Sequence, residues 1–327
     1  MARASSRYVC QTCSESFLRW EGQCRACGSW NSLVETLVRT PARSARAGAS
    51  RVGTGVARHG QAAPVPLGDV GTIDAPRLPI GISELDRVLG GGLVPGALVL
   101  IGGEPGVGKS TLLMQAAAGV VSAAGRTVLY ATGEESAAQV RLRAGRLGLL
   151  GGAAGSAISV LAASEVGGIA ELARETRPAL VIVDSIQTMT VEELDGAAGS
   201  VGQVRESALR LMELAKGEGI AVILVGHVTK DGSLAGPKTL EHLVDAVLEL
   251  AGERSGVLRI LRASKNRFGS TEEIGVFELG ETGMREVPDP ARAFLVEHDT
   301  PAPGSVVAAT MEGTRPLLVE VQALVAP

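Results

Sequence analysis

The chain has 327 residues, 45% of them hydrophobic, a net charge of −4 and only eight aromatic side chains. That length allows about two domains with a sizeable core. No apolar run reaches the ~20 residues of a membrane span, and the segment from Met1 to Arg7 lacks the apolar stretch of a secretory leader, so a cytoplasmic protein with no membrane partner is expected. The charge is uneven: residues 1–60 sum to +6 and the remainder to −10. A basic arm on an acidic body suggests a polyanion near the N-terminus, or more simply a solvated Arg-rich linker.

All four cysteines fall in two C-x-x-C pairs, Cys10 with Cys13 and Cys24 with Cys27. Paired turns of this kind present thiolates at tetrahedral spacing, so residues 1–36 are expected to form a structural zinc (Zn2+) knuckle. A redox C-x-x-C would call for a βαβ context that is absent here. Tyr8, Phe17, Trp20 and Trp30 lie in the same stretch, and a module this small is expected to be held by metal and aromatics together. Residues 37–66 then turn to Ala, Gly, Ser, Pro and Arg, with no acid between Glu35 and Asp69. This is the composition of a flexible linker.

From about residue 80 to 285 strands and helices alternate, which predicts a mainly parallel, doubly wound α/β sheet. An apolar strand, 97–101, enters Gly103-Glu104-Pro105-Gly106-Val107-Gly108-Lys109-Ser110, and a helix leaves it through Thr111. This is the G-x-x-x-x-G-K-[ST] phosphate loop in its required strand–loop–helix setting. Its backbone N–H groups would cradle the phosphates of a nucleotide such as ATP, Lys109 would meet the phosphate oxygens, and the Ser110 hydroxyl would ligate Mg2+. Three further strands follow, each with polar residues at its end. Residues 127–131 lead to Glu134 and Glu135, 179–184 end in Asp184, and 221–227 end in His227. In such sheets the carboxyl ends of the strands converge on one ligand crevice. Asp184 is the natural partner of the magnesium ion, Glu134 is placed to orient the attacking water with Glu135 as the alternative, and His227 could sense the γ-phosphate or simply bond to backbone. A helix over 201–215 buries one apolar face. Residues 141–146 form a basic helix face, solvated or in contact with DNA.

The stretch 81–96 (Gly-Ile-Ser-Glu-Leu-Asp-Arg-Val-Leu-Gly-Gly-Gly-Leu-Val-Pro-Gly) resembles the entry to the ATPase core of RecA, archaeal recombinases and the KaiC group. Three later blocks, 226–232, 235–245 and Lys265-Asn-Arg-Phe-Gly269, with the cysteine knuckle and the run 184–188, resemble the bacterial RadA (Sms) family. That resemblance implies a RecA-like ATPase core over 67–287, acting on single-stranded or branched DNA in recombination and repair. It further implies a homo-hexamer working with the RecA recombinase. Lys265 and Arg267 would reach a neighbouring subunit's nucleotide or the DNA, and Lys230 and Lys238 lie in a segment similar to a DNA-contacting loop of RecA. Residues 288–327 resemble the opening of a Lon-protease-like domain. The alternative function is a KaiC-like signalling ATPase with protein partners.

Overall fold

The computed structural model describes residues 5–10, 16–30, 32–38, 76–227, 239–252, 257–287, 289 and 304–323. The chain separates into two compact units, Met1–Ala57 and Arg58–Pro327. Almost all of the expected linker, and with it Cys13, Lys230 and Lys238, lies outside the described residues.

The first unit is a three-stranded antiparallel sheet, β1 (Ser5–Cys10), β2 (Ser16–Phe17) and β3 (Leu33–Val38), in the order β2-β1-β3. Its core is small: Cys10, Cys24 and Leu33, with Tyr8 and Phe17 packed alongside. The expectation that all four aromatics hold the module is therefore corrected. Trp20 and Trp30 are 56% and 71% exposed and lie outside that core. Cys10 stands opposite Leu33 in the β1–β3 ladder, which carries its thiol to the inside of the knuckle.

The second unit is built on a nine-stranded sheet in the order β12-β11-β10-β9-β4-β8-β7-β5-β6. Six strands are parallel: β4 (Leu98–Gly102), β5 (Val128–Thr132), β6 (Ile158–Ala162), β7 (Leu180–Asp184), β8 (Ala221–Val225) and β9 (Ala246–Gly252). The middle strands are apolar at nearly every position because helices cover both faces. Alternate residues divide between the two layers. Val99 and Ile101 join the cluster under α1 (Ser83–Leu89) and α2 (Lys109–Ala124), whereas Leu98 and Leu100 join the one under α5 (Val166–Thr176) and α6 (Val201–Glu218). The remaining α-helices among the described residues are α3 (Ala137–Arg146), α4 (Gly152–Ala157) and α7 (Thr239–Leu243).

The predicted alternation ends at β9. β10 (Leu258–Asn266), β11 (Ile274–Gly280) and β12 (Gly283–Glu286) form an antiparallel meander on one edge of the sheet. The links between these strands are too short for the crossover that a parallel pair requires. A further hairpin, β13 (Ser305–Glu312) and β14 (Arg315–Gln322), packs Leu317 against Ile260, Ile274 and Val276. Its Arg315 guanidinium makes a two-pronged ion pair with the buried Glu84 of α1.

Candidate active site

The phosphate loop joins β4 to α2 at the carboxyl edge of the parallel strands. Two of its glycines have steric reasons. A Cβ at Gly103 would stand 2.4 Å from the Leu250 carbonyl oxygen. Gly108 has φ +109 and lies under Met284 of β12, whose Cε would be 2.4 Å from any Cβ there. Arg259 of β10 donates from Nε to the Val107 carbonyl at 3.0 Å, fixing the loop from outside.

Lys109 opens α2 and is buried. Its ammonium donates to the carbonyls of Gly103 (2.7 Å) and Glu104 (3.0 Å). Burial lowers its pKa from the ordinary lysine value, against the opposing pull of the Asp184 and Glu134 carboxylates. Both acids therefore act on the same ammonium. Asp184, the last residue of β7, is buried and accepts a 2.5 Å hydrogen bond from the Tyr130 hydroxyl. Tyr130, in the adjacent β5, is fully buried, and burial with the neighbouring Asp184 raises the phenol well above its usual pKa. It stays a donor at all ordinary pH.

Glu134 and Glu135 follow β5, with both backbone N–H groups bonded to Thr132 Oγ1. Their side chains part company. Glu134 accepts from the Ser185 hydroxyl and meets His227 Nε2 at 3.2 Å. Glu135 turns to an ion pair with Arg143 of α3 at 2.5 Å, and Arg143 also approaches the Tyr130 hydroxyl. Arg143 thus leaves the basic helix face predicted for 141–146 and serves the interior, which corrects that expectation for this residue. His227 lies two residues beyond the end of β8 rather than in it, and the bond it makes is to a side chain, not to backbone.

The structure thus brings Lys109, Glu134, Asp184 and His227 together, and it sets Lys265 and Arg267 apart from them. β10 runs antiparallel to β9, so Arg259 stands at the phosphate-loop edge and Arg267 at the other, where its N–H bonds the Asp245 carbonyl. Eight residues of strand cover roughly 27 Å. Lys265 donates to the carbonyls of Glu241 and Val244, and burial followed by the nearby Arg267 lowers its pKa. Arg267 pairs with Asp245 at 3.2 Å. Asp245 is a buried hub that also accepts from the Leu98 N–H and the Lys216 ammonium. Burial would raise its pKa, but these donors together hold it below the usual carboxylate value.

Sequence reasoning missed Tyr130, Arg143, Arg259 and Asp245. Tyr130 left a signal, because a phenol inside a wholly apolar strand needs a buried acceptor. The segment that leads from β7 into α6 is tied down by the buried Gln203, which accepts from the Val191 N–H and donates to the Leu194 carbonyl.

In the knuckle, Cys10, Cys24 and Cys27 bring their sulfurs within 4.8 Å of one another. Cys10 and Cys27 are 3.6 Å apart, close to the ~3.8 Å between thiolates sharing a tetrahedral ion at about 2.3 Å. The donor set fits a soft, four-coordinate metal.

A phosphate loop, a strand-end aspartate and an adjacent glutamate on a sheet of this order define a RecA-like ATPase. Residues 78–285 match the KaiC ATPase family, and residues 8–35 match a rubredoxin metal-binding domain, the LapB zinc ribbon. Over the whole chain the similarity is to proteins named DNA repair protein RadA: 47% identity to that of Halalkalibacterium halodurans, covering 100% of this chain and 69% of the relative. Those of Pseudomonas aeruginosa and Escherichia coli are 49% and 46% identical, each covering 99% of this chain and 69% of the relative. The chain belongs to the RadA family. Among solved structures, the RadB recombinase aligns with TM-score 0.51 at 25% identity, over 64% of this chain and 99% of its own. A KaiC-like protein of Pyrococcus horikoshii aligns at 0.54 and 20% identity, over 65% of this chain and 99% of its own. That second likeness is one of fold alone, so the signalling alternative is not favoured. No described helix is long and apolar enough to cross a membrane.

Proposed function

We propose that this ATPase couples ATP hydrolysis to the remodelling of single-stranded or branched DNA in recombination and repair, as a helicase or branch-migration motor. The observation that carries the reading is the convergence of Lys109, Glu134 and Asp184 at one edge of the sheet, in a chain closely related throughout to DNA repair proteins.

In this reading the loop N–H groups from Gly103 to Thr111 hold the phosphates, and Lys109 swings from the loop carbonyls to the phosphate oxygens. Ser110 and Asp184 supply hard oxygen donors of the kind Mg2+ takes, and the ion, when bound, neutralises charge on the phosphates. Glu134 accepts a proton from the attacking water, held at its angle by the Ser185 hydroxyl. His227, bonded to the same carboxylate, is the proposed sensor of the γ-phosphate. Lys265 and Arg267 act on a neighbouring subunit's nucleotide or on DNA, since their own phosphate loop is a strand's length away. That arrangement calls for a ring, for which a homo-hexamer is proposed, and RecA is the proposed partner. Cys10, Cys13, Cys24 and Cys27 hold one zinc.

The test is the rate of ATP hydrolysis with and without single-stranded and branched DNA. Stimulation is expected, with loss in Lys265→Ala and Arg267→Ala at unchanged ATP affinity. Hydrolysis indifferent to every DNA would refute the motor.

A further inference from the structure

Trp20 and Trp30 take no part in the core, and the strand-like backbone of Trp30 is tied down. Trp30 is held by a bridge to Gln23, Gln23 Nε2 donates to the Gly28 carbonyl, and Cys24 N–H bonds the Ser29 carbonyl at 2.8 Å. Both rings border Gly22: a Cβ there would lie 3.6 Å from Trp30 and 3.9 Å from Trp20. Two exposed indoles thus meet at one glycine, just before the half-turn that carries Cys24 and Cys27. Neither ring fills the interior of so small a module, where apolar area is scarce.

The surroundings say what such a surface would meet. Arg19, next to Trp20 in the sequence, is exposed, Arg25 is held in a surface ion pair with Glu21, and the first 60 residues hold nine arginines against three acids. Five of those arginines follow the knuckle directly, before the next acid at Asp69. Flat aromatic faces flanked by positive charge recognise single-stranded nucleic acid. Each indole offers a face to an unpaired base regardless of its identity, while arginines meet the phosphates. A duplex hides its base faces and is a poor ligand for such a pair.

We infer that Trp20 and Trp30 form a base-stacking platform by which the knuckle binds single-stranded DNA, separately from the ATPase core. The inference rests on the reading that DNA is what this ATPase acts on. It places the first contact with the strand outside the nucleotide-bearing unit and independent of ATP. Arg19 adds a salt-dependent contact to phosphate, and the two rings supply the preference for unpaired bases.

The chain contains two tryptophans, and both are in the platform, so intrinsic fluorescence reads this surface alone. Titrating the protein without nucleotide with an oligo(dT) of about 15 nucleotides should quench that fluorescence saturably, and a duplex of equal length should quench far less. Trp20→Ala or Trp30→Ala should weaken binding of a labelled oligo(dT), followed by anisotropy, about five- to a hundredfold, while Trp→Phe at either site should restore most of it. Metal content measured on each variant shows whether the knuckle has kept its fold. Oligo(rU) quenching as strongly as oligo(dT) would leave the platform standing but make DNA no more its ligand than RNA, overturning that part. Fluorescence that ignores oligo(dT), while anisotropy shows binding, would put the DNA elsewhere and overturn the platform. A shift on raising protein concentration alone, with no response to nucleic acid, would make the surface a contact between copies and overturn it as well. DNA-stimulated hydrolysis measured in parallel separates the two readings: stimulation with silent tryptophans removes the platform and leaves the motor.

Discussion

Replacing Glu134 by Gln and, separately, Glu135 by Gln separates two adjacent acids to which the structure gives different surroundings. Glu134 is 39% exposed and faces His227, with its carboxylate bonded by Ser185. A glutamine keeps the shape and one acceptor oxygen for that hydroxyl, so the fold should lose under about 1 kcal/mol. What it removes is the negative oxygen able to take a proton. A positioned general base contributes roughly 10²–10⁴ in rate, or about 3–5 kcal/mol of barrier. Glu134→Gln should therefore cut kcat by about that factor with ATP affinity changed no more than a few-fold. Glu135 is tied to Arg143, with side chains 28% and 15% exposed. Losing that half-screened pair should cost about 1 kcal/mol of stability or less, with turnover within about tenfold of the parent. The assay is steady-state ATP hydrolysis beside direct nucleotide binding. A normal kcat in Glu134→Gln with a collapsed one in Glu135→Gln would refute the assignment.

Tyr130→Phe removes the donor that holds Asp184 and leaves the strand's packing unchanged. The Mg2+ concentration for half-maximal hydrolysis should shift several-fold, and an unaltered titration would show that Asp184 orients itself. Asp245→Ala strands the buried Leu98 N–H and should destabilise by about 1–3 kcal/mol in denaturant melts at pH 7. The sign with pH follows from a depressed carboxyl pKa: the contribution is complete above the unfolded value near 4 and is lost as pH falls through the lower folded value. Parent and variant should therefore converge only in strong acid. Metal analysis should find one zinc per chain, released on acidification as the thiolates protonate. A chelator should unfold the knuckle and leave the ATPase melt unchanged, since the two large core clusters draw on no knuckle residue.

The sequence by itself determined the elements whose residues carry their own local reason. The phosphate loop is written in contiguous glycines, a lysine and a serine, and flanking apolar runs declare a strand and a helix. The central strands were legible because burial on both faces demands unbroken apolar runs. Asp184 and the pair of glutamates were legible as polar residues at strand ends. Tertiary structure decided what depends on a distant partner. Which glutamate faces the site depends on Ser185 and His227, which reach Glu134 from the ends of two other strands, while Glu135 pairs with Arg143 of the helix that follows it directly. The antiparallel edge from Leu258 to Glu286 follows from connections too short to cross over, not from the composition of its strands. Trp20 and Trp30 read as core by residue type and came out exposed, because Cys10, Cys24 and Leu33, with Tyr8 and Phe17 packed against them, already fill a space that small. Asp245 gathers a backbone N–H from β4, a lysine from α6 and an arginine after β10, three contributors separated by long stretches of chain. No local pattern records such a meeting, since the favourable terms exist only once the sheet has brought them together.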